Sequence, residues 1–123
     1  MKLSEAIRLG SMLRPQAKGG YFMNDGSCAI GAAADAIGCQ EIDRRGSAWR
    51  LIGLLGRHWP WLLRIDLRSC VACTASQLSR HDQIAHLNDA HGWTRERIAD
   101  WVATIEPQEA SEPVKAEDVA VRV

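Results

Sequence analysis

The chain has 123 residues and carries equal numbers of acidic and basic side chains, 15 of each. This length suits one domain with its own core, and a composition of 46% hydrophobic and 24% charged residues excludes disorder over most of the chain. The charge is uneven, because residues 1–105 are mildly basic and residues 106–123 are acidic. A surplus this small neither indicates nor excludes a nucleic-acid-binding protein.

The location of the protein follows from its apolar segments. The N-terminus lacks the apolar stretch of a secretory signal, and the most apolar run, residues 51–63, is too short to cross a bilayer. We therefore predict a cytoplasmic protein. Thiols stay reduced in that compartment, so the cysteines are expected to be free thiols or metal ligands. They are Cys28, Cys39, Cys70 and Cys73.

A first helix is predicted near the N-terminus. Ser4 can cap it, and the helical spacing of apolar side chains continues to about Leu13 before Pro15 ends the pattern. The apolar run 21–23 then leads into a turn signal at residues 24–26. No second strand is apparent after this turn, so we interpret the segment as a loop rather than as a hairpin.

A run of small residues defines the second predicted helix. Ser27 can cap residues 28–37, and Gly38 occupies the position where a left-handed helix terminus is expected. Almost every side chain of this helix is Ala, Gly, Ile or Cys, with Asp35 as the exception. The composition predicts a helix that is buried on nearly all sides and approached closely by its neighbours.

The central segment predicts a third helix and a short fourth one. Ser47 opens the third, in which Trp49 and Leu55 keep helical spacing, and Pro60 suits the first turn of a short helix over residues 61–65. Tryptophan is large enough to anchor a core. We therefore expect all five tryptophans in or near it: Trp49, Trp59, Trp61, Trp93 and Trp101.

The last two helices carry the clearest local signals. Ser79 and Asp82 have the spacing of a capping box at the start of a helix over residues 79–90. Thr94 can cap a final helix, residues 94–106, whose apolar side chains form one amphipathic stripe.

Together these elements predict an all-α fold, a single compact domain of five or six short helices over residues 1–106. Residues 107–123 combine acidic groups and prolines with no periodic apolar face. We expect them to form a flexible acidic tail.

Zinc binding is one hypothesis for the Cys70-x-x-Cys73 pair, whose spacing is that of a zinc knuckle. His81 and His86, 8 and 13 residues beyond Cys73, can supply the other two ligands, and Cys39 is a further candidate. The interval from Cys73 to His81 is shorter than in the common zinc-finger layout, which favours the alternative of two small buried residues between helices. A redox pair is less favoured, because such motifs lie in strand-rich domains.

A thiol-dependent hydrolase is a second hypothesis. Cys28 lies at the predicted first position of a helix, where the dipole would favour a thiolate. His86 or His91 could act as its base, oriented by Asn88 or Asp89. The opposing interpretation is that Cys28 is a packing residue of an Ala-rich helix, since no second element suggests an oxyanion hole.

A helix-turn-helix is a third hypothesis. The predicted helices 79–90 and 94–106 are joined by a short turn that contains glycine, and Arg95 and Arg97 would supply base contacts from the second helix. Short turns also join antiparallel helices in many all-α folds, and Glu96 dilutes the positive face.

Four phrases of the chain, LRPQ at 13–16, SCAIGAA at 27–33, the Cys70-x-x-Cys73 pair and HLNDAHGWTRE at 86–96, resemble a group of small bacterial and phage-borne proteins of unknown function. The likeness spans most of residues 3–106. It implies an origin on a prophage or another mobile element and supplies no catalytic or binding residues.

No candidate catalytic group has a convincing partner in the sequence. We therefore expect a small non-enzymatic interaction or accessory module with a protein partner and no membrane contact. The alternatives are a DNA-binding helix-turn-helix protein and a thiol-dependent hydrolase that uses Cys28.

Overall fold

A computed structural model of the protein describes residues 1–38, 48–66 and 70–107. These ranges form five α-helices: α1 Leu3–Ser11, α2 Ala29–Ala36, α3 Ala48–His58, α4 Arg80–Asp89 and α5 Arg95–Ile105. A 3-10 helix spans Pro60–Leu63, and four two-residue strands are β1 Phe22–Met23, β2 Gly26–Ser27, β3 Ile65–Asp66 and β4 Leu78–Ser79. The predicted single, mostly helical domain is confirmed. The predictions for Cys39, Ser47 and tail residues 108–123 lie outside the described residues.

Helices α1 and α2 are packed backbone against backbone. A Cβ atom added to Gly10 would lie 1.7 Å from the carbonyl oxygen of Ala32, so only glycine permits this approach. All the α2 residues from Ala29 to Ala34 are buried, as the small-residue composition predicts. Gly38 has a φ of +76°, which confirms the left-handed terminus of this helix.

The charged exception on α2, Asp35, is neutralised inside the fold. Its carboxylate accepts hydrogen bonds from Nε of Arg14 at 2.6 Å and from Nη2 at 3.0 Å. The same guanidinium lies over the ring of Phe22, 5.2 Å from its centroid. A bidentate ion pair of this kind satisfies a buried carboxylate that would otherwise be costly.

The segment before α2 is a hairpin, so the prediction of a loop is wrong. Strands β1 and β2 pair antiparallel, with Phe22 opposite Ser27. The two residues between them, Asn24 and Asp25, have φ values of 52° and 66°, the left-handed conformation of a tight hairpin turn. Strands of two residues are too short to show an alternating pattern, which is why the sequence does not reveal them.

The starts of the last two helices are capped as predicted. The hydroxyl of Ser79 accepts a hydrogen bond from the amide of Asp82 at 3.0 Å, and the hydroxyl of Thr94 accepts one from the amide of Arg97 at 3.1 Å. Both helices nevertheless end one residue earlier than predicted, at Asp89 and Ile105.

The starts of α1 and α2 differ from the prediction. Ser4 lies inside α1, which begins at Leu3, and its hydroxyl donates to the carboxylate of Glu106 rather than capping the helix. Cys28, not Ser27, is the N-cap of α2, because its sulfur accepts a hydrogen bond from the amide of Gly31 at 3.4 Å. Ser4 therefore lies within α1 instead of capping it, and Ser27 precedes the residue that caps α2.

The core combines the buried faces of all five helices and the 3-10 helix. Its largest fully buried apolar side chains are Leu3, Ile7, Ile30, Leu51, Leu55, Leu62, Ile84, Leu87, Ile98 and Val102. Trp59 is buried, and three other tryptophans pack against the core while partly exposed: Trp61, Trp93 and Trp101. The side chain of Trp49 is outside the described residues. No helix within the described ranges has both the length and the apolar character to cross a membrane.

A second strand pair positions the loop that carries the Cys-x-x-Cys motif. Strands β3 and β4 are antiparallel, with Ile65 opposite Ser79. The chain that leaves β3 therefore returns beside it before α4 begins. This places the loop close to the helix that contains the candidate histidines.

Candidate metal centre

The loop backbone around Cys70 and Cys73 directs N–H groups at both sulfur atoms. The amide of Ala72 donates to Sγ of Cys70 and that of Ala75 donates to Sγ of Cys73, each at 3.4 Å. The amide of Cys70 in turn donates to the carbonyl oxygen of Ala75 at 2.6 Å, which closes the loop. Hydrogen bonds of this kind orient metal-bound thiolates and stabilise their charge.

The turn that ends α4 brings two histidines together. The amide of His91 donates to the carbonyl oxygen of His86 at 3.3 Å, and the amide of Trp93 donates to that of Leu87 at 3.0 Å. Between them Gly92 has a φ of +66°, a conformation that favours glycine. The two imidazole rings consequently meet edge to face, with their centroids 4.8 Å apart.

Two thiols and two imidazoles converge where this turn meets the loop. Sγ of Cys73 lies 3.4 Å from Nε2 of His86, and Sγ of Cys70 lies 3.9 Å from Nε2 of His91. All four ligand atoms lie within 4.8 Å of one another. Around a tetrahedral zinc ion such atoms are about 3.3–3.8 Å apart, so a contraction of at most about 1.5 Å brings them to bonding distance. The cluster can therefore hold a metal ion.

His81, which the sequence hypothesis made a ligand, is not part of the cluster. Its Nε2 lies 2.8 Å from the hydroxyl of Tyr21, and its Nδ1 lies 3.1 Å from the carboxylate of Asp82. His86 follows His81 by five positions, and this spacing points them to different sides of a helix. The fourth member of the cluster is His91 instead.

The spacing of the four clustered residues follows a known pattern in the sequence. Cys70, Cys73, His86 and His91 have the pattern Cys-x2-Cys-x12-His-x4-His. This is the common spacing of Cys2His2 zinc sites. The pair His81 and His86 has the same x4 spacing, but its first member lies only 8 residues beyond Cys73, whereas His86 lies 13 residues beyond it.

The environment of Cys28 is the reverse of what a nucleophile needs. Burial raises the pKa of its thiol to about 11, although helix amides donate toward the sulfur. The expectation that the helix dipole would favour a thiolate is therefore wrong. Among the hydrogen bonds of the described residues, Cys28 has no histidine partner, and both histidines proposed as its base, His86 and His91, contact the other cysteines.

Asn88, proposed to orient a catalytic histidine, is a fully buried structural residue. Its carbonyl oxygen accepts hydrogen bonds from Nε2 of Gln16 at 2.9 Å and from the amide of Ala29 at 3.1 Å. Its amide nitrogen donates to the carbonyl oxygen of Ala17 and to the carboxylate of Asp89, both at 2.8 Å. One side chain thus ties α4 to the start of α2 and to the segment after α1.

The arginines of the helix-turn-helix hypothesis also have internal contacts. Arg95 is only 7% exposed, and its guanidinium donates to Ser27 Oγ at 2.9 Å and to the carbonyl oxygen of Arg14 at 2.8 Å. The guanidinium of Arg97 lies over the ring of Trp93, 3.8 Å from its centroid. Arg95 could contact DNA only by breaking these buried hydrogen bonds, so its predicted role in base contacts is wrong.

Comparison with protein-family models, with curated proteins and with solved structures finds no match for this chain.

Proposed function

We propose that Cys70, Cys73, His86 and His91 bind one zinc ion and that the domain is a non-enzymatic binding module whose fold the ion completes. One observation carries this proposal, the convergence of four ligand atoms from two separate segments to within 4.8 Å. Two thiolates and two imidazoles are a ligand set that zinc takes in tetrahedral structural sites. Four protein ligands leave no open position for a water molecule, which favours a structural role over a catalytic one.

A bound ion would have a structural role where the loop meets the end of α4. Helix α4 buries only two apolar side chains, Ile84 and Leu87. Most residues of the loop from 71 to 77 are exposed, while Cys70 at its start is buried. A bound ion would join this loop to the end of α4 and so replace apolar contacts that both elements lack.

The non-enzymatic part of the proposal is supported by what the candidate catalytic groups do. Cys28 caps α2 and is buried as a neutral thiol, and Asn88 has its hydrogen-bonding groups satisfied within the fold. The cytoplasmic location, the mobile-element origin and the protein partner expected from the sequence stay predictions.

The test is to measure the zinc content of protein purified without chelator or added metal. We expect about one zinc per chain, and a loss of most of it in Cys70→Ser, Cys73→Ser, His86→Ala and His91→Ala variants. His81→Gln is the matched control, because it removes an imidazole from the same helix but not from the cluster. Circular dichroism checks that each variant is folded.

Two results would contradict the proposal. One is wild-type protein without bound metal and with no gain in thermal stability when zinc is added. The other is a His91→Ala variant that keeps its zinc while His81→Gln loses it, which would restore the ligand set first expected from the sequence.

A further inference from the structure

Arginine is concentrated in one stretch of the chain. Residues 44–68 contain a single acidic residue, Asp66, and six arginines: Arg44, Arg45, Arg50, Arg57, Arg64 and Arg68. Three of these have described side chains, Arg50, Arg57 and Arg64, and all three are exposed. Within the described part of the chain none of the three forms an ion pair, whereas Arg8 pairs with an aspartate. Exposed arginines that form no ion pair among the described residues are available to an anionic partner.

Two of these arginines lie along the same side of α3. Seven residues separate Arg50 from Arg57, which places them about 10 Å apart along the helix axis. They line a cleft of about 330 Å³ together with Gly53 and Leu54. The cleft is open at Gly53, since a Cβ atom added there would meet no atom within 4 Å.

Two further clefts, of about 300 and 200 Å³, lie where the chain leaves α3. They share Trp61, Arg64 and Pro107, and His58 lines the larger of them. Trp61 is half-buried and so presents part of its indole to both clefts. A guanidinium beside a partly exposed aromatic ring is a combination that can hold single-stranded nucleic acid, with phosphates on the arginine and a base on the ring.

One carboxylate lines the larger cleft, that of Glu106. It accepts hydrogen bonds from the amide and the hydroxyl of Ser4. Ser4 lies in the first turn of α1, where the positive end of the helix dipole offsets a negative charge. Glu106 is therefore held by Ser4 and, among the described residues, forms no ion pair with Arg64.

We propose that single-stranded nucleic acid binds along these clefts, in contact with the exposed side chains of Arg50, Arg57, His58 and Arg64 and with Trp61. The arginines neutralise phosphates, and Trp61 stacks on one base. The indole favours a base-bearing polyanion over an acidic protein segment, because every base has a flat face to stack. This inference rests on the proposed binding role of the domain but not on the zinc centre, since none of the five residues is a metal ligand.

The experiment is fluorescence anisotropy of a labelled, mixed-sequence DNA strand of about 15 nucleotides, a length suited to such sites, titrated with the full chain at several salt concentrations. We expect a micromolar Kd at about 100 mM salt, weakening as salt rises. Arg57→Glu and Arg64→Glu should each weaken binding by about tenfold and lower the salt slope by about 0.7 or more, as expected for a lost phosphate contact. Trp61→Ala should weaken binding by about tenfold with an unchanged salt slope, because stacking releases no counterions.

Arg97→Glu is the matched control, because it makes the same charge reversal at an exposed arginine of α5. It should leave binding unchanged. Loss of binding in Arg97→Glu with none in Arg57→Glu would place the site on the α4–α5 pair and overturn the inference, as would binding of polyglutamate but of neither DNA nor RNA strands. Zinc content is measured on the same samples to separate the two proposals. If the protein holds about one zinc per chain but binds no strand, only the nucleic-acid site is refuted.

Discussion

The α1–α2 end of the domain and the end formed by residues 70–93 are held together in different ways. At the first end two helix backbones touch at Gly10, and the core-facing residues of both helices are fully buried. At the second end a mostly exposed loop meets a helix that buries only two apolar side chains, Ile84 and Leu87. The first end depends on close packing. The second end is held by hydrogen bonds and, in the proposed function, by a metal ion on the four clustered ligand atoms.

This difference teaches that one small domain can divide its stability between two mechanisms. Close packing leaves no tolerance for an added atom. A metal-linked segment tolerates changes in its exposed side chains but depends on the ion and its ligands. Asn88 connects the two ends. Its side chain accepts a hydrogen bond from the amide of Ala29 on α2, and in the sequence it lies between the two histidines of the cluster.

The largest expected effect comes from removing the ion. Chelation should lower the free energy of unfolding by about 4 kcal/mol if free zinc was at about a thousand times its Kd. Hydrogen exchange should then rise most in residues 70–93 and least in α1 and α2, because only the first depends on the metal. Equal increases at both ends would show that the two ends are not held by different mechanisms.

The next largest effect is expected at Gly10. Gly10→Ala forces a methyl group against the backbone of Ala32 and should cost about 3 kcal/mol, measured by urea denaturation. Gly53→Ala is the matched control, since it adds the same methyl group to an open position of α3 and should stabilise the domain by about 0.5–1 kcal/mol. Similar results for the two variants would contradict the tight α1–α2 contact.

The smallest effect on stability, but a measurable one on reactivity, concerns Cys28. Burial favours its neutral thiol, so Cys28 contributes stability that is present below the unfolded pKa of 9.0 and lost as the pH rises through about 11. At about pH 8 its thiolate fraction should be about 100-fold lower in the folded than in the unfolded protein. Peptide mapping after iodoacetamide treatment should show correspondingly slow alkylation, compared with the same protein in urea. Rapid selective alkylation of native Cys28 would instead favour the hydrolase hypothesis.

The sequence predicted those parts of the fold that depend on neighbouring residues. Residues in or next to each element determine these features. Examples are the helix caps at Ser79 and Thr94 and the burial of α2. The hairpin before α2 was missed because two-residue strands have no visible period. The cap at Cys28 was missed because serine is the more common capping residue, and Ser27 stands beside it.

Three of the four members of the Cys/His cluster were predicted. Cys70, Cys73 and His86 were named from spacing, and His81 was named in place of His91. The difference depends on the direction of side chains around α4 and on the turn at Gly92, which brings His91 back to His86. The buried contacts of Arg95 join residues far apart in the chain, so no local pattern could reveal them.

The most direct test of the zinc centre is X-ray absorption spectroscopy of the zinc-loaded protein. We expect two sulfur atoms at about 2.3 Å and two nitrogen atoms at about 2.0–2.1 Å from the ion. His91→Ala should replace one of these nitrogens with a light atom from water or remove the ion. A shell of oxygen atoms alone, or one of four sulfur atoms, would contradict the assignment of Cys70, Cys73, His86 and His91 as the ligands.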